Sequence, residues 1–267
     1  MRLSVIEWEG SGPTTLLLAH ATGFNKLVWR PVVTALRSQG FDGRILAHDF
    51  RSHGRSPKLD GHDWSHFGED VAEMLSLVDG PVLGVGHSMG GAALLGTGLK
   101  HPERFIGQVL IEPIVFPAID DQDHPLVVGA ARRRRAFATP DEAIANFAGK
   151  PVFARWTSDA LQAYVEGGLV REGEGWALAC EPADEAATFR AAGSDDVFAR
   201  LEDVAIPIWL VIGSDTDAYP PGYVETLRDW IEGAQLMTVP GAGHFVPMEQ
   251  PAALAAIIRE AVRDLSD

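Results

Sequence analysis

Between Pro81 and Leu95 the chain reads as three things in succession. A short apolar run (Val82 to Val85) leads into a Gly-x-Ser-x-Gly turn centred on Ser88, and small and apolar residues follow at helical density. A serine on a strand-to-helix turn must take a strained backbone conformation, so the residues two before and two after it must be tiny. Gly86 and Gly90 meet that need, and Gly91 and Ala92 let the helix lie close on a sheet. The arrangement lifts the Ser88 hydroxyl to the carboxyl end of a central strand, above a helix N-terminus. There the helix dipole and the Met89 N–H favour an oxyanion.

On either side of this stretch, strand-like and helix-like segments alternate. Leu3 to Trp8 reads as a strand turned back by Gly10-Ser11-Gly12-Pro13, and Thr15 to Ala19 as a buried strand. Val32, Val33 and Leu36 keep helical spacing up to Gly40, and Arg44 to His48 is a further strand. Val71, Met74, Leu75 and Val78 mark a helix lying on a sheet, and Gln108 to Glu112 the strand after the elbow. The next clear strand, Pro207 to Ile212, comes about 95 residues later, far more than the ~30 of a βαβ crossover, so an insertion is expected. Roughly 116 to 200 reads as helical, broken at Pro125, Pro140, Gly149-Lys150-Pro151 and Gly173-Glu174-Gly175. The rhythm then resumes with a helix at Pro221 to Ile231, a strand at Gln235 to Val239 and a last helix carrying Leu254, Ile257, Ile258, Ala261, Val262 and Leu265 on one face. The pattern predicts an α/β fold, a mostly parallel sheet flanked by helices. The core is expected at 1–115 and 204–267, with a helical cap at 116–203.

Charge narrows the partners. Asp and Glu number 37 against 22 Lys and Arg, a formal charge of −15, which repels phosphate backbones and anionic lipid. A small-molecule substrate is therefore expected, with neither nucleic acid nor membrane as partner and the chain a monomer or homodimer. Cys180 is the single cysteine, which excludes an internal disulfide and suits a reducing cytoplasm. The charged N-terminal run lacks the features of a signal peptide.

A serine hydroxyl needs a base within hydrogen-bond reach. His244, in the glycine-rich Pro240-Gly241-Ala242-Gly243-His244 loop after the last strand, is the leading candidate. A carboxylate should hold its imidazole. Asp217 is expected in that role ahead of Asp215, both in the loop after the Pro207–Ile212 strand. Glu112, at the end of the strand after the elbow, is a third option whose simpler reading is structural. No metal site is expected: His62 and His66 mimic a zinc-peptidase spacing, but no third ligand is evident. Arg132 to Arg135 form the one basic run, expected to face solvent and pair with acids such as Asp120, Asp121 and Asp123. The sharper alternative points one arginine into the pocket to meet a substrate carboxylate. Phe24, Trp29, Phe116, Phe153, Trp156, Tyr164 and Phe245 are candidates to line an apolar acyl pocket.

With the elbow, the acid loop and the histidine loop in this order, the sequence resembles the α/β-hydrolase superfamily, in its serine hydrolases with a helical cap. His20-Ala21-Thr22-Gly23-Phe24 resembles that family's oxyanion loop, with Ala21 in place of its usual glycine. Asp49-Phe50-Arg51-Ser52-His53-Gly54-Arg55-Ser56 resembles a structural loop, with Ser52 where a glycine is usual. The acid's usual place is three residues after a glycine, where this chain has Thr216; a loop one residue longer would place it at Asp217. The resemblance implies a Ser88, His244, Asp217 triad, oxyanion donors at Met89 and Thr22, no cofactor, and ester or lactone hydrolysis of a small, partly hydrophobic substrate. Carbon–carbon bond hydrolysis, a lyase reaction, cofactor-free perhydrolysis and a small-molecule receptor are the alternatives it carries.

Overall fold

The structure, a computed structural model, describes residues 2–58, 61–118 and 123–265. The first part of the chain gives β1 (Val5–Trp8), β2 (Gly12–Ala19), α1 (Arg30–Ser38), β3 (Gly43–His48), α2 (Ser65–Leu75), β4 (Val82–His87), α3 (Met89–Lys100) and β5 (Phe105–Ile111). An inserted stretch carries α4 (Pro125–Ala131), β6 (Ala136–Phe137), α5 (Pro140–Ala148), α6 (Ser158–Gly168), β7 (Leu169–Glu172), β8 (Gly175–Leu178) and α7 (Pro182–Arg190). The remainder is β9 (Ile208–Gly213), α8 (Tyr223–Trp230), β10 (Gln235–Val239), α9 (Val246–Glu249) and α10 (Pro251–Asp264).

Seven strands form one sheet in the order β1-β3-β2-β4-β5-β9-β10, parallel throughout except for β1, which runs antiparallel against β3. The expected turn at 10–13 is therefore not a hairpin: Gly12 and Pro13 already belong to β2, and β3 lies between β1 and β2. The central strands are apolar on both faces because helices cover both. Leu16, Leu18, Leu83, Val85, Val109 and Ile111 point to the side of α1 and α10. Leu17, Leu46, Val82, Leu110 and Leu210 point to the side of α2, α3 and α8. Period-two alternation inside an unbroken apolar run thus builds two cores, one on each face.

The insertion is not purely helical. Besides its helices it holds a three-stranded antiparallel sheet, β6-β8-β7, in which Gly173 takes a φ of +58° at the tight β7–β8 connection. Pro125 and Pro140 open α4 and α5, where a missing N–H costs nothing, and do not break them. Phe137, Phe147, Trp156, Tyr164 and Leu178 join the same apolar cluster as Leu16, Trp29 and Ile258, so the insertion shares the core of one sheet face. Among the described residues, no helix is long and apolar enough to cross a membrane.

Candidate active site

β4, β5, β9 and β10 are neighbours, and their carboxyl ends deliver Ser88, Glu112, the 213–222 loop and the 240–245 loop side by side. Ser88 follows β4 with φ +55° and ψ −118°, a conformation that costs a non-glycine residue on the order of 1–3 kcal/mol. Its surroundings hold it there. The Ser88 N–H donates to Ile111 O at 2.9 Å, and the Ser88 carbonyl accepts from Gly91 and Ala92. A Cβ on Gly90 would stand 2.3 Å from the Ala19 carbonyl oxygen, so only glycine lets α3 reach the sheet at that point.

Glu112 is the second strained residue of the site, with φ +48° at the end of β5, and its side chain is fully buried. It is not a bystander. Oε1 accepts from the Gly213 N–H at 2.7 Å, while Oε2 accepts from Thr216 Oγ1 at 2.7 Å and faces His244 Nδ1 at 3.2 Å. A carboxylate taken wholly out of water is tolerated only when donors meet its lone pairs, and here three do. Asp217, expected as the acid, instead sits exposed on the loop, and among the described residues the side-chain hydrogen bond and ion pair of His244 go to Glu112 and not to it. Asp215 also points outward and pairs with Arg155 at 3.0 Å. The correction has a physical reason. The main chain at Asp215 is pinned by its N–H to Ala242 O and that of Gly213 by Glu112, so the next inward side chain is Thr216.

The histidine loop closes against the elbow. His87 Nε2 donates to the His244 carbonyl at 2.9 Å, and the two rings lie 5.1 Å apart. His244 keeps 18% of its side-chain surface exposed, with Nδ1 toward Glu112. The Ser88 hydroxyl closes no hydrogen bond among the described residues. Bonds between nucleophile and base are commonly long without substrate and tighten when it binds.

The oxyanion loop is fixed by two neutral histidines. His20 Nδ1 donates to Ala21 O and its Nε2 accepts from the Phe50 N–H; His53 Nδ1 donates to Arg51 O and its Nε2 accepts from the Gly23 N–H at 2.9 Å. Burial pushes the pKa of both rings, and of His87, below the ordinary histidine value. With the Gly23 N–H spent on His53 and that of Phe24 on Ala21 O, the Thr22 N–H is left free among the described residues. Thr22 Oγ1 donates to Met89 Sδ at 3.3 Å, so the two residues expected to carry the oxyanion donors are in side-chain contact. Ala21 is accommodated because its φ is not positive; Gly23, at φ +76°, makes the turn. Ser52, where a glycine is usual, does take a left-handed φ of +61°.

Five of the expected pocket aromatics form one cluster beside His87. Phe24 stacks on Phe245 at 5.8 Å and meets Trp156 and Tyr164 edge-on, and Phe153 joins through Trp156. Trp29 and Phe116 are corrections. Trp29 is fully buried in the sheet-side core, and Phe116 stacks on Tyr223 at 4.5 Å in a separate group. Behind Phe24 lies a cavity of about 10 Å³, room for about one water. Arg133 lines it and donates to both oxygens of Glu185 and to Tyr164 Oη. One arginine of the run therefore does face inward, with its charge already matched, while Arg134 and Arg135 pair with Glu142, Glu172 and Glu181 nearer the surface. Asp120 and Asp121 lie outside the described residues. His62 sits by Thr188 and Asp184, and no group of three or more potential metal ligands occurs among the described residues.

Residues 16–257 match the alpha/beta hydrolase family, and the chain belongs to that family. It is similar to 3-oxoadipate enol-lactonase 1 of Acinetobacter baylyi, 24% identical over 246 residues that cover 88% of this chain and 84% of the relative. Among solved structures it resembles E-2-(acetamidomethylene)succinate hydrolase, with a TM-score of 0.83 at 24% identity over 98% of this chain and 95% of that one. The enol-lactonase of Burkholderia xenovorans superposes with a TM-score of 0.73 at 20% identity, covering 98% and 96%. The family match marks the chain as an alpha/beta hydrolase enzyme, and the solved structures share its fold.

Proposed function

We propose that this hydrolase cleaves small, partly hydrophobic esters or lactones through Ser88, His244 and Glu112, by way of an acyl-enzyme. The observation that carries the reading is the buried Glu112 carboxylate facing His244 Nδ1 at 3.2 Å, one strand over from a strained serine. Glu112 fixes the tautomer with Nδ1 protonated, which leaves the Nε2 lone pair to take the Ser88 proton as the hydroxyl attacks a carbonyl carbon. The Met89 and Thr22 N–H groups receive the developing oxyanion, each worth about 3–4 kcal/mol in the transition state. His244 then protonates the departing alkoxide, and water repeats the cycle on the ester of Ser88. An aromatic wall of Phe24, Trp156 and Phe245 favours an apolar acyl or ring portion. The enol-lactonase names among the relatives support the lactone side of the reading.

In the same reading, residues 116–203 act as the cap over a core of 1–115 and 204–267. The enzyme needs no cofactor, binds neither nucleic acid nor membrane, and works in the cytoplasm as a monomer or homodimer. A fluorophosphonate probe and a panel of nitrophenyl esters and lactones of graded length test the chemistry. Intact protein should label covalently and turn over part of the panel, and Ser88→Ala should lose both, by about 10⁴-fold or more in rate. Labelling that survives in Ser88→Ala, or none in the intact protein, sinks the proposal.

A further inference from the structure

Thr216 and His244 converge on one atom. Thr216 Oγ1 donates to Glu112 Oε2 at 2.7 Å, and the same oxygen faces His244 Nδ1 at 3.2 Å, while Oε1 is occupied by the Gly213 N–H. The Thr216 hydroxyl also accepts from the Ala218 N–H at 3.4 Å, which gives its rotamer a second tether. The loop itself is fixed at both ends. Gly213 is held by Glu112, Asp215 N–H donates to Ala242 O, and Tyr219 and Tyr223 reach back to the carbonyls of Pro113 and Val115 just beyond Glu112. Position 216 is therefore built to aim a side chain at the oxygen that faces the imidazole.

Resting on the assignment of Glu112 to His244 made above, we infer that Thr216 is a positioning residue for the Glu112–His244 pair. The hydroxyl holds Oε2 in line with Nδ1 and draws off part of its charge.

The test is a set of three variants, Glu112→Gln, Thr216→Val and Thr216→Ser, read by kcat, KM and the pH profile of kcat/KM on a nitrophenyl ester. In Glu112→Gln the new amide keeps an oxygen for Gly213 but turns an N–H toward the imidazole. That forces the wrong tautomer, with a loss of about 10³–10⁴-fold in kcat. Thr216→Val should lower kcat with little change in KM. It should also move the acid limb of the profile to higher pH by about 0.4–1 unit, one hydrogen bond's worth, because Oε2 then offers more charge to the imidazolium. Thr216→Ser should return both to the parent values. An unmoved profile and kcat in Thr216→Val overturns the positioning role. If Thr216→Val does not fold, Thr216→Ala, read in the same way, decides. Undiminished turnover in Glu112→Gln strikes the assignment of the acid itself, a distinguishable failure.

Discussion

The two sides of the candidate site are built on different principles. On the sheet side, Ser88 and Glu112 are held in positive-φ conformations by main-chain hydrogen bonds, and Gly23 is fixed by a buried neutral histidine. On the inserted side, the wall is made of rings that meet at 4.7–5.8 Å and of an Arg133–Glu185 ion pair resting on Tyr164. Backbone-held polar groups have one geometry, whereas ring packing tolerates substitution and repacks. Reaction rate should therefore be the property of the first side, and substrate choice that of the second.

The sharpest way to break this contrast is a carboxylate exchange on the sheet side. Against the loss of about 10³–10⁴-fold in kcat for Glu112→Gln, Asp217→Asn should alter kcat by no more than about twofold, as an exposed group without a partner at the site. Steady-state kinetics on one ester decides it. A large loss in Asp217→Asn with a small one in Glu112→Gln would return the acid to the loop after β9.

Why Asp217 looked better from the sequence is instructive. Ser88, Met89 and the Gly243-His244 loop were legible because each is a local matter of small residues at fixed spacing beside one strand. Which carboxylate faces the imidazole depends on which strands are neighbours. With β5 seated between β4 and β9, the residue after β5 lies between the serine and the loop that holds the histidine. That order is not written in any local stretch. The one local hint was a glutamate directly after the wholly buried Val109-Leu110-Ile111, coupled with a threonine at 216. Trp29 and Phe116 were no easier to place: Trp29 lies in the same apolar cluster as Trp156 and Tyr164 but wholly buried, and Phe116 stacks on Tyr223 away from it, and neither depth nor neighbour is written in local spacing. The insertion was least legible. Its β7–β8 hairpin spans only eight strand residues around Gly173-Glu174, too few for a period to stand out from a break.

A change on the inserted side should be smaller in rate and different in kind. Trp156 is nearly buried and touches Phe24, Phe153, Tyr164 and Phe245. Trp156→Ala should cost about 3 kcal/mol of stability by cavity formation and shift the preferred acyl chain of the nitrophenyl panel to longer members. Its kcat on the best substrate should stay within about tenfold, in keeping with the rate-setting groups lying elsewhere. An unchanged chain-length preference, with kcat reduced as far as in Glu112→Gln, would erase the division of labour.

The smallest effect per residue concerns acid, and it also separates the two sides. His20, His48, His53 and His87 are buried at or next to the sheet. Burial lowers the pKa of each, that of His48 to about 3, where both ring nitrogens lack a hydrogen-bond partner among the described residues and the ring packs on Phe50 at 4.5 Å. Above the ordinary histidine value of about 6.5 both folded and unfolded chains hold these rings neutral, so their contribution is complete there. As pH falls below that value the unfolded chain takes protons first, and stability drops by about 1.4 kcal/mol per pH unit for each such ring. For His48 the decline continues toward about 3. Asp195, whose carboxyl burial raises to about 6, works the other way below that pH and offsets one ring's share. Denaturant melts at pH 7.5, 6.5 and 5.5 should therefore show the loss concentrated in the last step. His48→Phe should shrink the slope by about one ring's worth, because the unpartnered nitrogens are replaced by carbon in the same apolar seat. A slope that is flat in the parent, or unaltered in His48→Phe, would show that the sheet side is not held by neutral imidazoles.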